Sequence, residues 1–222
     1  MDASPALNAI STGLITYILI AASLCLRAYA QAWMADRLGD HTPALEGRLT
    51  LNPLPHVDLL GTVVLPLLSI FYLQPRLDRI SFFLAWAKPV PINPGAFAHP
   101  QKHYLYTLLA ETGMSGILML VGAIVGGLLL RSQSEAVSMA GALISINAML
   151  VILDFIPIPP LPGALILVQK GWMREETYHQ FARWGGLILI VAFQLPPVRM
   201  LLGLLQALLA TPFILLLNLI AR

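Results

Sequence analysis

Three ionisable residues could do chemistry because each falls in or beside a long apolar stretch. Arg27 follows the apolar run 7–26, Glu111 lies within 104–130, and Asp154 lies near the end of 138–156. A charge inside a bilayer costs about 2.5–3.5 kcal/mol on insertion scales, so such residues usually pair with one another. We therefore predict an intramembrane ion pair between Arg27 and Asp154 or Glu111. The alternative is that Arg27 and Asp154 lie at the membrane interface and stay hydrated.

The histidines are a second source of chemistry. His99 and His103 are spaced i, i+4, which places two side chains on one face of a helix. Pro100 allows a helix there only if His99 stands at its very start. No acidic residue lies between the two histidines, and the single cysteine, Cys25, sits in an apolar run. We expect no metal site at this pair.

The elements that position these residues must cross a membrane. Of the 222 residues, 58% are hydrophobic and 11% are charged, and the mean hydropathy is +0.78. A globular protein carries about 25% charged residues. These values exclude a soluble enzyme, a disordered chain and a secreted disulfide scaffold, and the net charge of +2 is too small to indicate a nucleic-acid partner. We predict an integral membrane protein in contact with lipid.

The apolar stretches predict an all-α fold with about six transmembrane segments. They are residues 7–26, 59–73, 104–130, 138–156, 185–195 and 198–220. The second could instead form a re-entrant hairpin with 80–87, and Pro196 with Pro197 separates the last two. We predict a single membrane domain over residues 1–222. Its core would be 7–163, and 164–222 would hold an amphipathic connector and two helices.

Basic residues predict the direction of these segments, because Lys and Arg accumulate on the cytoplasmic side. They cluster in the long connection before residue 104 and in the connection after residue 156, as Arg37, Arg48, Lys88, Lys102, Lys170, Arg174 and Arg183. We predict a multi-pass protein of a bacterial inner membrane, with its N-terminus outside and Arg222 in the cytoplasm.

Two polar connections, 36–58 and 86–94, break up the apolar pattern. Residues 47–51 alternate weakly, as an edge strand does, and prolines confine 86–94 to an extended loop. Irregular backbone beside membrane spans must be buried in protein or line a water-filled cavity. We predict that both connections wall a cleft that faces the cytoplasm. The motif residues expected to shape it are Asn52, His56, Asp58, Lys88 and Asn93.

The same connections carry motifs that resemble a known family. The runs ADRLGD-x-T-x-x-L-x-GRLTLNPL-x-H-x-D-x-x-GT, WAKPVP-x-NP and PIPPL-x-G resemble the site-2 proteases, over residues 22–163. Members of that family are intramembrane zinc metalloproteases that cut the transmembrane helices of other proteins. The resemblance implies a six-helix membrane fold of the site-2 protease type, with its active site near the cytoplasmic side.

The family's catalytic positions are substituted in this chain. The HExxH motif needs two histidines one helical turn apart to reach one zinc ion, and a glutamate to activate zinc-bound water. Counting back from ADRLGD places that motif at residues 27–31, so Arg27, Ala28 and Gln31 occupy its His, Glu and His positions. The Asp of the family's PLDG motif falls at Pro162. These four positions predict no zinc and no catalytic residue.

These substitutions predict a pseudoprotease that is not an enzyme. It would act as a membrane binding or scaffold protein for the transmembrane helices of a partner, as an accessory subunit of a larger complex. Two alternatives stay open. One is an active zinc metalloprotease with displaced ligands. The other is a small-molecule site or transporter in the vacated cleft, and it rests on Glu111 and Asp154 alone.

A GxxxG pattern at Gly122 and Gly126 allows two helices to approach closely. We expect this face to pack inside the protein, with docking of a partner helix as the alternative.

Overall fold

The computed structural model of the chain describes residues 5–73 and 83–222. Within these ranges the fold is helical without any strand, so the prediction of an all-α protein is confirmed there. The helices are α1 (Pro5–Arg37), α2 (Thr42–Leu45), α3 (Leu65–Leu68), α4 (Pro100–Arg131), α5 (Val137–Phe155), α6 (Pro162–Gln169), α7 (Glu175–Gln194) and α8 (Pro196–Ala221). Wider π-helical turns, Leu59–Val64 and Ser69–Leu73, flank α3, and short 3₁₀ turns form at Leu54–His56 and Pro94–Ala96.

Four helices in the described ranges, α1, α4, α5 and α8, are long and apolar enough to cross a membrane. The prediction of about six spans is not confirmed. The apolar helix Leu59–Tyr72 is shorter than a span requires. The predicted hairpin arm 80–87 lies partly outside the described residues. The four apolar helices support the prediction that the chain is an integral membrane protein.

Helix α4 is the centre of the bundle, since it packs against α1, α5 and α8. The predicted GxxxG face is used for this packing. A β-carbon at Gly122 would lie 3.0 Å from the side chain of Ile144 in α5, and one at Gly126 would lie 2.8 Å from Ala140. Small residues thus let α4 approach its neighbours, as the internal-packing interpretation expects.

Helix α8 runs in the same direction as α4. Gly127, near the end of α4, faces Ile220 and Leu217, near the end of α8. Arg222 therefore lies at the end of the bundle that carries Arg131, opposite the end where α4 begins. The structure contradicts the prediction that Arg222 shares a side with the basic connections, because α7 and α8 together add one crossing and not two.

Helix α1 runs antiparallel to α4. Ala35, near the end of α1, packs with Phe97, Tyr104 and Leu108, which lie just before and within the first turns of α4. Both polar connections therefore meet at one end of the bundle, which we name the loop end. Asp154, near the end of α5, also lies close to this end.

Two local predictions are corrected. The amphipathic connector and the apolar segment 185–195 form one continuous helix, α7. Within this helix the bare backbone of Gly185 packs directly against the carbonyl of Pro159. The expected edge strand at 47–51 is absent, since Gly47 has a φ of 69° and Arg48 N–H donates to the carbonyl of Pro43 in a turn.

The α4–α8 contact predicts opposite effects for two glycines of α4. A β-carbon at Gly127 would lie 2.6 Å from Ile220 Cβ and 2.8 Å from the backbone oxygen of Leu217, whereas Gly116 has open space around it. We expect Gly127→Ala to lower the free energy of unfolding by about 1–3 kcal/mol through overpacking. Gly116→Ala should raise it by about 0.5–1 kcal/mol through helix propensity. Thermal melting in mild detergent measures both, and equal shifts would refute the close approach.

Candidate functional site

The site forms around Arg27, which lies inside α1 because that helix continues to Arg37, well past the predicted span. The Arg27 side chain is only 2% exposed. One turn later on the same face stands Gln31, which is also buried. The two positions that correspond to the histidines of HExxH therefore point into the protein.

The guanidinium of Arg27 joins three helices. Its Nη1 donates to Ser115 Oγ at 2.8 Å, and its Nη2 donates to Glu111 Oε1 at 3.0 Å, both on α4. The same Nη2 donates to Asp154 Oδ1 on α5. The structure thus brings together all three intramembrane charges singled out from the sequence.

The two carboxylates differ in their surroundings. Asp154 is 7% exposed, and its second oxygen, Oδ2, accepts a hydrogen bond from Thr112 Oγ1 at 2.7 Å. Glu111 is 14% exposed. One cation faces two carboxylates, so the cluster carries a surplus negative charge when both are ionised. Arg27 Nε is buried without a protein partner, which leaves one strong donor unused.

A cavity of about 60 Å³ adjoins the cluster. All four substituted catalytic positions line it, and so do Glu111, Asp154 and the backbone segment 85–90. The four positions are Arg27, Ala28, Gln31 and Pro162. Its volume matches about two water molecules. The four positions that the resemblance singled out therefore lie around one cavity, although their residue types differ from those of the family.

Arg48, in the polar connection 36–58, holds the segment 85–90 that lines the cavity. Its Nη2 donates to the carbonyl of Lys88 at 2.7 Å and its Nη1 to that of Pro89 at 3.0 Å. Arg48 is 5% exposed, so these bonds form away from bulk water. Burial lowers the pKa of Arg48, and the nearby carboxylate of Glu46 opposes that shift. A guanidinium stays charged even so.

His56 also holds the backbone of segment 85–90, at Lys88. Its carbonyl accepts from Lys88 N–H at 2.8 Å, and its ring Nε2 lies 2.9 Å from the carbonyl of Thr50. An imidazole can only donate to a carbonyl, so Nε2 carries the proton. Burial lowers the pKa of His56, the hydrogen bond to Thr50 opposes this, and the charge of Arg48 adds to the lowering.

Asp58, Asn52 and Asn93, the other predicted loop residues, each cap a turn. Asp58 Oδ1 accepts from Gly61 N–H at 2.6 Å, Asn52 Oδ1 accepts from Leu54 N–H, and Asn93 Oδ1 accepts from Gly95 N–H.

Asp40 is fully buried and ties the two polar connections together. Its carboxylate accepts from Thr42 N–H at 3.0 Å and from Asn93 N–H at 2.7 Å.

The family's zinc does not fit the residues that stand here. Zinc in proteins is bound by thiolates, imidazoles and carboxylates. A guanidinium has no lone pair to offer and repels a cation, and neither Ala28 nor Pro162 has a donor side chain. No cluster of three or more candidate metal ligands occurs in residues 5–73 and 83–222. The rings of His99 and His103 meet edge to face, 5.4 Å apart, without a third ligand.

Two curated proteins are similar to this chain over most of its length. "Putative zinc metalloprotease YwhC" of Bacillus subtilis (strain 168) is 28% identical over 199 residues, which are 82% of each chain. "Putative zinc metalloprotease Rip2" of Mycolicibacterium smegmatis is 29% identical over 191 residues, which are 80% of this chain and 65% of Rip2. The resemblance to site-2 proteases is confirmed. No family model and no solved structure matches the chain.

The relatives' names correct one prediction. Both proteins are named for zinc metalloprotease activity, and this contradicts the prediction that the chain is not an enzyme. The chain is similar to membrane metalloproteases of the site-2 protease family.

Sequence reasoning missed several residues that build the site. Ser115 and Thr112 lie on the same helix as Glu111, and their polar side chains could have marked them as hydrogen-bond partners of the cluster. Arg48 and Asp40 lie in the quoted loop motif, and only the fold shows that they hold the second connection. Tyr104, which is buried and lines the cavity, gave no signal beyond its aromatic type.

The cluster predicts that Arg27 is needed for stability. Arg27→Ala leaves two buried carboxylates without their cation, which should cost about 3–5 kcal/mol of unfolding free energy. The matched control is Arg37→Ala, which removes an exposed cation from the same helix. Thermal melting of both variants in detergent is the measurement. Arg37→Ala should cost no more than about 1 kcal/mol, since it loses only an exposed contact with the ring of Trp33. An Arg27→Ala variant that costs as little would refute the pairing.

The lowered pKa of His56 predicts an acid-sensitive loop. The folded chain holds the ring neutral, while the unfolded chain takes up a proton once the pH falls below about 6.5. This part of the stability is therefore complete above that pH and is lost as the pH falls further. We expect the melting temperature to fall less steeply with acid in His56→Gln than in the parent.

The control for this loop is His179→Gln, which replaces an exposed histidine of α7. It should keep the acid slope of the parent. If both substitutions flatten the slope equally, burial of His56 is not its cause.

Proposed function

We propose that this chain binds the transmembrane helix of a second membrane protein beside the Arg27 cluster. The observation that carries the proposal is the cavity at the loop end, which Arg27, Ala28, Gln31 and Pro162 line. With a volume of about 60 Å³ it admits one small side chain and not a helix. The partner helix would therefore lie against its mouth and insert a single residue.

The cluster supports a polar neutral residue at that point. Arg27 Nε lacks an acceptor, and Glu111 lines the cavity as the most exposed member of the cluster. An amide side chain can accept from the one and donate to the other. Such hydrogen bonds between membrane helices contribute about 0.6–2 kcal/mol.

The proposal also includes the side of the membrane that the loop end faces and whether the site holds zinc. We place the loop end on the cytoplasmic face of a bacterial inner membrane, since Arg37, Arg48, Lys88 and Lys102 lie there. Residues 59–73 would then form a re-entrant arm, which the hydrogen bond from Trp86 N–H to the carbonyl of Gly61 near the start of that arm supports. We also propose that Arg27, Ala28, Gln31 and Pro162 hold no zinc, because their donor set does not suit it.

A second candidate function is cleavage of the bound helix, and the names of YwhC and Rip2 favour it. This activity would need metal ligands or a base other than the four substituted positions. The third interpretation, a small-molecule or transport site, has only the cavity and its two carboxylates in its favour.

Binding of a defined helix tests the proposal. The full chain in vesicles is titrated with a fluorescent single-span peptide carrying one central asparagine, and with its leucine twin. We expect about 3- to 30-fold tighter binding of the asparagine peptide. Glu111→Ala should remove that preference, and Glu135→Ala, an exposed carboxylate at the opposite end, should keep it. Equal binding of both peptides by the parent would overturn the proposal.

The same mixture separates the two functions. The peptide is followed by mass spectrometry with and without a zinc chelator. Intact peptide together with selective binding supports a binding protein, and cleavage that stops on chelation establishes the protease.

A further inference from the structure

A pocket separate from the Arg27 cavity lies at the loop end, between the start of α4 and the end of α6. It has a volume of about 250 Å³. We propose that this pocket binds the headgroup and upper acyl chain of an anionic phospholipid. The inference does not depend on the proposed function.

The lining of the pocket is divided by chemistry. The polar rim comes from Gln101 and Lys102 at the start of α4, from Gln169 at the end of α6, and from Lys170 directly after it. The floor is apolar and includes Leu105 and Ile166. An amphipathic ligand with a charged head and a hydrocarbon tail matches this arrangement, whereas a free anion would leave the floor uncovered.

The charge of the rim selects an anion. Two lysines and no acidic residue line the pocket. Lys102 Nζ also lies 5.7 Å from the ring centroid of Tyr106, one turn along the helix, which restrains that side chain near the rim. Three of the last four carbonyls of α6 are already bonded, since those of Ile166, Leu167 and Val168 accept from N–H groups of residues 170–173. The charged groups that the rim offers are therefore the two ammonium groups.

The pocket lies at the level of the lipid headgroups, which favours a phospholipid as its ligand. Lys102 stands in the first turn of a membrane span, and Lys170 is followed by Trp172, whose side chain is exposed. Tryptophan and lysine at the end of a span mark the headgroup level. Basic pockets between helices at this depth bind anionic headgroups, with about 1 kcal/mol from each basic residue.

The floor links this pocket to the Arg27 cavity. Tyr104 and Leu108 line both spaces and are buried between them. An acyl chain in the pocket would thus press on the wall that closes the cavity, and bound lipid should stabilise the loop end.

Native mass spectrometry of the full chain in mild detergent tests the proposal, with titrations of phosphatidylglycerol and phosphatidylcholine. We expect selective binding of phosphatidylglycerol by the parent. The double variant Lys102→Gln and Lys170→Gln should weaken that binding by about 10- to 30-fold. The charge-matched control, Arg131→Gln with Arg222→Gln at the opposite end, should bind as the parent does.

A second variant and a third ligand make the outcome decisive. Leu105→Trp fills the floor and keeps both lysines, so it should also weaken lipid binding. Equal binding of the two lipids, or no loss in the lysine variant, would overturn the proposal. Inorganic phosphate is added as a competitor: if it displaces the lipid at equal concentration, the pocket is a free-anion site and the lipid assignment fails.

Discussion

The buried guanidinium of Arg27 is the interaction on which the loop end of the protein depends. It bonds to Ser115 and Glu111 on α4 and to Asp154 on α5, so one side chain fixes the spacing of three membrane helices. The three charged side chains are largely buried, and an unpaired charge within a membrane protein is costly. Removing any one of the three charged side chains would therefore leave the others without their full set of partners, at a cost in stability.

The polar connections add a second constraint at the same place. Arg48 and His56 hold the backbone of Lys88 and Pro89 from two directions, and Asp40 holds Asn93 farther along. Segment 85–90 is thus pinned across the cavity through its backbone groups, without the ladder of a sheet. Irregular backbone at this depth is stable because these side chains satisfy it.

The relatives indicate which activity to expect, whereas the side chains of the site indicate whether zinc can bind in this chain. The chain is similar to YwhC and Rip2, and the names of these relatives point to zinc metalloprotease activity. At the family's catalytic positions this chain has Arg27, which belongs to a charge cluster with Glu111 and Asp154, and three uncharged residues. This set of side chains does not suit zinc. A cleft built for transmembrane helices can serve binding as well as cleavage, since function belongs to the site and not to the fold.

Much of this could be predicted from the sequence, because the cost of intramembrane charge is a local property. It is enough to predict that Arg27 should pair with Asp154 or Glu111. Composition likewise gave the membrane class and the helical fold. The direction of α8 could not be predicted, since basic residues bias topology only on average, and the packing of Gly127 against Ile220 decides it. The roles of Arg48 and Asp40 depend on contacts about 40 and 50 residues away, which no local pattern encodes.

A double-mutant cycle between Arg27 and Asp154 tests the account most directly. Arg27→Met, Asp154→Leu and the double variant are unfolded in the same detergent, and the coupling free energy is taken from the four stabilities. Because the two charges share a buried hydrogen bond, we predict that the double variant is more stable than either single variant, with a coupling of about 2–3 kcal/mol. Additive losses, with a coupling below about 0.5 kcal/mol, would show that the helices are held by packing alone and would contradict the account.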